Sequence, residues 1–247
     1  MIKGIQSTGS ALKPMMTRME VIANNLANIN TVGFKKDEVF IHLMKKTDLE
    51  QAGGKGEIAG YDVRKFTDFS EGSLQQSGNP LDVALQGRGF FVIDTPLGIQ
   101  MTRNGNFTLS LDGTLVTSQG HPVMGTEGSI HFPDIQNLSE GRLAITETGE
   151  ITIDKRVIGK FRIADVADPT ILRKNGDSFL IVDKNVPLST VNNESVIVRQ
   201  GYLEESNVDG LEELITMVEL TRNFESGQRA IQYQDGTLER LNEVGRF

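Results

Sequence analysis

Apolar positions near the start of the chain recur at spacings that alternate three and four: Ile5, Leu12, Met15, Met19, Ile22, Leu26 and Ile29, with Thr8 the one polar member of the series. A strict alternation of this kind is the a/d seam of a coiled coil, here about three and a half heptads long. An ordinary surface helix carries a wider stripe. The pattern predicts a helix over 5–29 that lies along another helix and not on a sheet. The same alternation returns at the other end through Leu214, Met217, Leu220, Phe224, Gly227, Ile231, Gln234, Leu238 and Leu241, with Ile215 and Val218 widening it in the first turns. Ser206-Asn207-Val208-Asp209 before it has the form of a capping box with Ser206 as N-cap. Two terminal helices with matching seams predict an antiparallel coiled-coil pair whose seams also pack on neighbouring subunits. Pro14 removes a donor and clashes one turn back, so the first helix is expected to start or kink there. Residues before it are expected to be unordered in the free chain and helical on assembly.

Between the helices, from Gly72 to Gly201, the pattern is all β, in short runs rich in Val, Ile, Phe and Thr. Val83–Gln86, Gly89–Asp94, Thr114–Thr117, Leu143–Thr146, Ile151–Ile153, Val157–Val166, Phe179–Val182 and Val196–Leu203 read as strands bounded by turn residues. Phe107, Leu109 and Leu111 alternate with Thr108 and Ser110, which predicts one buried face ending in a turn at Asp112-Gly113. A second hairpin turns at Thr148-Gly149. Phe90, Phe91 and Phe107 are the expected core. Many strands at about ten-residue spacing favour a β-sandwich or irregular barrel. The fold class is therefore mainly β with terminal α-helices. Its expected divisions are an N-terminal axial helix over 1–34, an extended connector over 35–71, a central all-β domain over 72–203 and a C-terminal axial helix over 204–247. Within the connector, Tyr61–Phe69 reads as a strand.

Composition narrows the function classes. The net charge is −8 and no basic run stands out, which disfavours nucleic-acid binding. No cysteine is present, so disulfides, thiolate metal sites and a cysteine nucleophile are excluded. No apolar run approaches the length of a membrane span, and Met1–Ser7 lacks the apolar region of a secretory signal. His42, His121 and His131 show no metal spacing. The glycine cluster Gly53-Gly54-Lys55-Gly56 lacks a phosphate-loop ending. Asp82, Asp94 and Asp112 sit in or beside strands, and turn roles account for most of them. No catalytic site, cofactor or metal is expected.

Asn24, Asn25 and Asn28 lie on or beside the first seam, where asparagine is a poor helix former. Their amides can end the helix, or bond neighbouring helices and fix register between subunits; the second reading is preferred. The candidate subunit-packing residues are thus Leu12, Met15, Met19, Ile22, Asn24, Asn25, Leu26, Asn28 and Ile29 on the first helix. On the last helix they are Leu214, Met217, Leu220, Phe224, Ile231, Leu238 and Leu241.

Several ordered motifs carry a resemblance. Ala23-Asn24-Asn25-Leu26-Ala27-Asn28 precedes Asn30-Thr31 and Gly33-Phe34-Lys35. Gly78-Asn79-Pro80-Leu81-Asp82-Val83-Ala84 leads into Gly89-Phe90-Phe91. Thr102–Phe107 precedes Asp112-Gly113, and Gly201, Leu203, Glu204 and Ser206-Asn207-Val208 lead into Arg222-Asn223-Phe224-Glu225. Nearly end to end, the chain resembles the bacterial flagellar axial proteins of the rod and hook class. Leu81–Gln86, Gly120-His121-Pro122-Val123 and Arg222–Glu225 look closer to the proximal-rod member than to the distal-rod member. The resemblance implies a structural subunit of the basal-body rod, with no catalytic activity. It implies export without a cleaved signal by the flagellar type III apparatus, and helical assembly across the periplasm with copies of itself and other rod proteins. Hook, basal-body ring and export proteins are further implied partners; nucleic acid and membrane insertion are not. The rivals are a distal-rod, hook or hook-junction subunit, a β-sandwich enzyme acting on polysaccharide through Asp82 or Asp94, and an adaptor with a preformed helical hairpin.

Overall fold

The computed structural model describes residues 2–43, 61–133, 143–166, 172–175, 179–181, 189–190 and 196–244. The chain divides into two compact units, one made of 1–27, 37–68 and 209–247, the other of 28–36 and 69–208.

Among the described residues the first unit holds two helices, α1 (Ile2–Ala27) and α2 (Gly210–Val244), and an antiparallel strand pair, β1 (Asp37–Leu43) and β2 (Tyr61–Thr67). α1 runs through Pro14 without starting there; a helix with turns formed on both sides carries a single missing bond. α2 begins later than the expected cap. The Asp209 Oδ1 accepts the N–H groups of Leu211 at 2.9 Å and Glu212 at 3.1 Å, whereas Ser206 Oγ accepts only the Val208 N–H, at 3.3 Å. A charged carboxylate at the positive end of the helix, with Glu212 and Glu213 in its first turn, is the better cap. At 35 residues α2 is about 52 Å long. The segment expected to be an extended connector carries a seven-residue ladder, from Asp37 opposite Thr67 to Leu43 opposite Tyr61.

Among its described residues the second unit is all β. Its strands are β3 (Leu74–Gln76), β4 (Val83–Gly87), β5 (Phe90–Thr95), β6 (Gly98–Thr102), β7 (Phe107–Leu109), β8 (Leu115–Thr117), β9 (Leu143–Ile145), β10 (Glu150–Ile153), β11 (Arg156–Lys160), β12 (Ile163–Asp165), β13 (Arg173–Asn175), β14 (Phe179–Ile181), β15 (Ser189–Thr190), β16 (Val196–Gln200) and β17 (Tyr202–Glu204). Six of them form one sheet in the order β13-β14-β6-β5-β12-β15. β9, β10 and β11 form a three-stranded meander, and β16-β4, β17-β3 and β7-β8 are pairs. No sheet among the described residues closes on itself, which removes the barrel from the expected architectures.

The centre of the large sheet explains its stability. β5 is buried on both faces: Phe91 and Ile93 join one apolar cluster with Phe107, Phe161 and Ile151, while Phe90 and Val92 join another with Met101 and Val166. A strand covered on both sides reads as a continuous apolar run, as Phe90-Phe91-Val92-Ile93 does. Phe91 meets Phe107 edge-on with centroids 5.1 Å apart and Phe161 at 5.4 Å. Phe90, Phe91 and Phe107 are thus core, as expected. Leu111 is not: it stands fully exposed at the tip of the β7–β8 turn. The Gly113 N–H reaches back to the Ser110 carbonyl at 3.0 Å, so the strand and its alternation stop at Leu109.

Candidate functional site

The helix pair is the candidate site, because the sequence places the packing residues on it. The two helices touch and run antiparallel. Asn25, near the end of α1, meets Glu213 in the first turn of α2, and Leu12, further back on α1, meets Gly227, further along α2. A Cβ placed on Gly227 would lie 2.8 Å from the Leu12 Cδ2, so the glycine is what lets the helices approach there.

At 3.6 residues per turn, α2 presents two distinct faces. Glu213, Met217, Leu220, Phe224, Gly227 and Ile231 project from one side, and all of them are buried or half-buried. Leu211, Leu214, Ile215 and Val218 project from another side, and each is half-exposed or more. Leu214 therefore stands apart from the seam to which its spacing assigns it, on a second apolar stripe. On α1, Ile22 is buried and Leu12, Met15, Met19 and Leu26 are half-buried. Val21, one position off the seam, is buried as well as Ile22. α1 meets both α2 and the β1–β2 ribbon, and two neighbours bury a stripe wider than an a/d seam. Leu238 and Leu241 lie on α2, with side chains outside the described residues.

The asparagines divide by role. Asn25 is 1% exposed and brackets the start of β1: its Nδ2 donates to the Asp37 carbonyl at 2.9 Å and its Oδ1 accepts the Asp37 N–H at 3.0 Å. The same Nδ2 reaches Glu213 Oε1 at 3.4 Å. One amide thus imitates a strand neighbour and touches α2, fixing register within the subunit. Asn28 belongs to the second unit and ends the helix: its carbonyl accepts the Thr31 N–H at 3.1 Å and its Oδ1 accepts the Thr31 hydroxyl at 3.0 Å. Asn24 is exposed and Ile29 half-buried.

The second unit contains a feature the sequence did not reveal. Glu204, 1% exposed at the end of β17, receives Lys35 Nζ and the Gly72 N–H (3.1 Å) on Oε1 and Arg103 Nη1 (3.2 Å) on Oε2. Lys35 and Arg103 are themselves 2% and 4% exposed. Burial lowers the Lys35 ammonium from its ordinary pKa; Glu204 opposes that shift, Arg103 adds to it and Glu71 opposes it weakly. Arg103 also donates to the carbonyls of Leu85 and Gly87, at 3.2 and 2.7 Å.

Asp82, the residue on which a polysaccharide-cleaving reading rests, is buried and accepts the side-chain amides of Asn79 (3.2 Å) and Asn106 (2.9 Å) on one oxygen. Those bonds fasten a turn to a strand end. Asp94 is exposed on β5 and Asp112 caps the β7–β8 turn. Among the described residues no group of three histidines or carboxylates is placed to hold a metal ion. No helix among the described residues is long and apolar enough to cross a membrane.

Comparison with known proteins adds three family matches along the chain: "Flagella basal body rod protein" over 5–35, "Flagellar hook protein FlgE/F/G D1 domain" over 84–153 and "Flagellar basal body rod FlgEFG protein C-terminal" over 199–244. The flagellar basal-body rod protein FlgG of Bacillus subtilis is 32% identical over 267 residues, covering 100% of both chains. The flagellar basal-body rod proteins FlgF of Mesorhizobium japonicum and of Rhizobium meliloti are each 31% identical, over 88% and 98% of this chain and 87% and 97% of theirs.

Proposed function

The chain belongs to the flagellar basal-body rod protein family, and from that we propose that it is a structural subunit of the rod, built into it through its terminal helices. Its place is the flagellar basal body and its role is mechanical, as part of the shaft that motility needs. The carrying observation is the stripe Leu211, Leu214, Ile215 and Val218 on α2, apolar and open on a helix whose other face is already occupied by α1. A helix with two apolar faces has room for two helical neighbours. Charge supports one kind of neighbour. α2 carries seven acidic residues against Arg222, Arg229 and Arg240, whereas α1 carries Lys3, Lys13 and Arg18 against Glu20. The acidic helix of one copy is matched to the basic helix of the next, which steers association and sets register.

The same reading gives the mechanism: helix seams dock coiled-coil fashion at a growing end, and burial of apolar surface offsets the cost of ordering the chain ends. Family membership supports delivery through the type III route, and the motifs at Leu81–Gln86, Gly120–Val123 and Arg222–Glu225 favour a place in the proximal rod. The test is deletion of the gene in its own host, with a tagged copy restored. We expect loss of swimming, basal bodies that lack a complete rod, and tag label on the cell-proximal half of restored rods. Label on the outer half would assign the subunit to the distal rod. Normal swimming with complete rods in the deletion strain would overturn the structural reading.

A further inference from the structure

Every strand pairing that completes the start of the β unit comes from its end. β3 pairs with β17, from Leu74 opposite Glu204 to Gln76 opposite Tyr202, and β4 pairs with β16, from Val83 opposite Gln200 to Gly87 opposite Val196. Among the described residues Glu204 is also the sole carboxylate bonded to both Lys35 and Arg103, and it lies 169 residues from Lys35 in the chain. A chain delivered from its N-terminus presents Lys35, β3, β4 and Arg103 long before β16, β17 and Glu204 exist beside them. Until then neither cation has the carboxylate it bonds in the folded unit, and Glu71, which makes no bond to either among the described residues, is left to oppose the charge on Lys35 through space. Burying an unpaired charge is costly, and a second charge of the same sign makes it more so.

The backbone around Glu204 adds to this. The Glu204 carbonyl accepts the Gly33 N–H at 2.7 Å, and Glu204 Oε1 accepts the Gly72 N–H. Lys35 Nζ also donates to the Ser70 carbonyl at 2.6 Å. One residue near the end of the unit thus fastens the segment around Gly33–Lys35 and the segment around Ser70–Gly72.

We propose that Glu204 is a closing latch: Lys35 and Arg103, lacking the carboxylate they both bond, keep the β unit open until the chain has been delivered through residue 204, and the arriving carboxylate then locks it. A subunit that passes through a narrow route N-terminus first is kept by this device from closing half-made. The inference needs only N-to-C delivery, which holds for synthesis on a ribosome, and so stands apart from the rod assignment.

The test uses the full chain and measures unfolding and refolding rates across urea. If the latch forms last, Glu204→Gln accelerates unfolding at least tenfold and changes refolding less than twofold, the behaviour of a contact absent from the transition state. In the double variant Lys35→Met/Glu204→Gln one orphan cation is gone, and unfolding slows relative to Glu204→Gln alone. If Glu204→Gln does not fold, the double variant is expected to fold where the single one fails. Refolding slowed tenfold by Glu204→Gln would show an early contact and overturn the latch. A double variant that unfolds faster than Glu204→Gln, or failure of both to fold, would overturn the charge argument.

Discussion

Replacing Leu214 and Ile215 of α2 with alanine separates assembly from folding. Both side chains are about half exposed, at 54% and 53%. Fully burying such a side chain is worth ~1.5–3 kcal/mol, so about half of that remains to be gained at each when a neighbour covers the stripe. With Leu211 and Val218 included, the stripe offers roughly 3–6 kcal/mol per contact. Alanine removes most of the apolar area and keeps helix propensity high. Each single substitution is therefore expected to raise the critical concentration for polymerisation by about five- to tenfold, since ~1.4 kcal/mol is tenfold in an equilibrium constant. The pair should raise it by roughly 30- to 100-fold if the two add. The assay is sedimentation of polymer at increasing protein concentration, with thermal unfolding of the dilute protein as control. Stability of the dilute protein should stay within about 0.5 kcal/mol of the wild type. Leu220→Ala is the contrast: Leu220 is buried on the occupied face, and its truncation should cost about 2–4 kcal/mol of folding stability. Polymerisation of the double variant at the wild-type concentration would refute the reasoning. So would a loss of stability equal to that of Leu220→Ala, because the stripe would then be packed within the subunit.

Three further outcomes are expected. Asn25→Asp replaces a buried amide donor with a carboxylate facing the Asp37 carbonyl and the Glu213 carboxylate; the variant should lose roughly 2–4 kcal/mol at neutral pH and recover part of it in acid, read from urea midpoints. Gly33→Ala places a Cβ against the backbone of Arg103 and Asn104 at a φ of +69°, and should lower stability by about 2 kcal/mol or more in the same assay; a loss under ~0.5 kcal/mol would contradict the close approach. The carboxyl of Asp112 is held below an ordinary aspartate by the Thr114 N–H and then by the Ser110 and Thr114 hydroxyls. Its contribution to stability is present above the unfolded pKa and lost as pH falls through the lowered folded value, so its carbon resonance should titrate at lower pH than a free aspartate, and equality of the two would contradict the turn geometry.

Much of this protein is written in local spacing. The three-four alternation marks α1 and α2, because side-chain direction follows directly from backbone period, and short apolar and β-branched runs bounded by turn residues mark β4, β5, β8, β10 and β16. The family motifs were also legible, and with them the structural function. What the sequence could not display is pairing over distance. β1 and β2 join across the residues from Leu43 to Tyr61, and β3 and β4 take partners from the far end of the unit, pairings that no local signal displays. The start of α2 at Asp209 was decided by competition between two adjacent caps, and the exposure of Leu111 by a turn that ends the alternation one step early. Leu214 keeps the spacing of a seam yet stands on the open face, since a heptad pattern gives period but not which side finds a neighbour. Lys35, Arg103 and Glu204 look like three ordinary surface charges in the sequence; only the tertiary structure brings them together out of water, where one carboxylate must serve two cations.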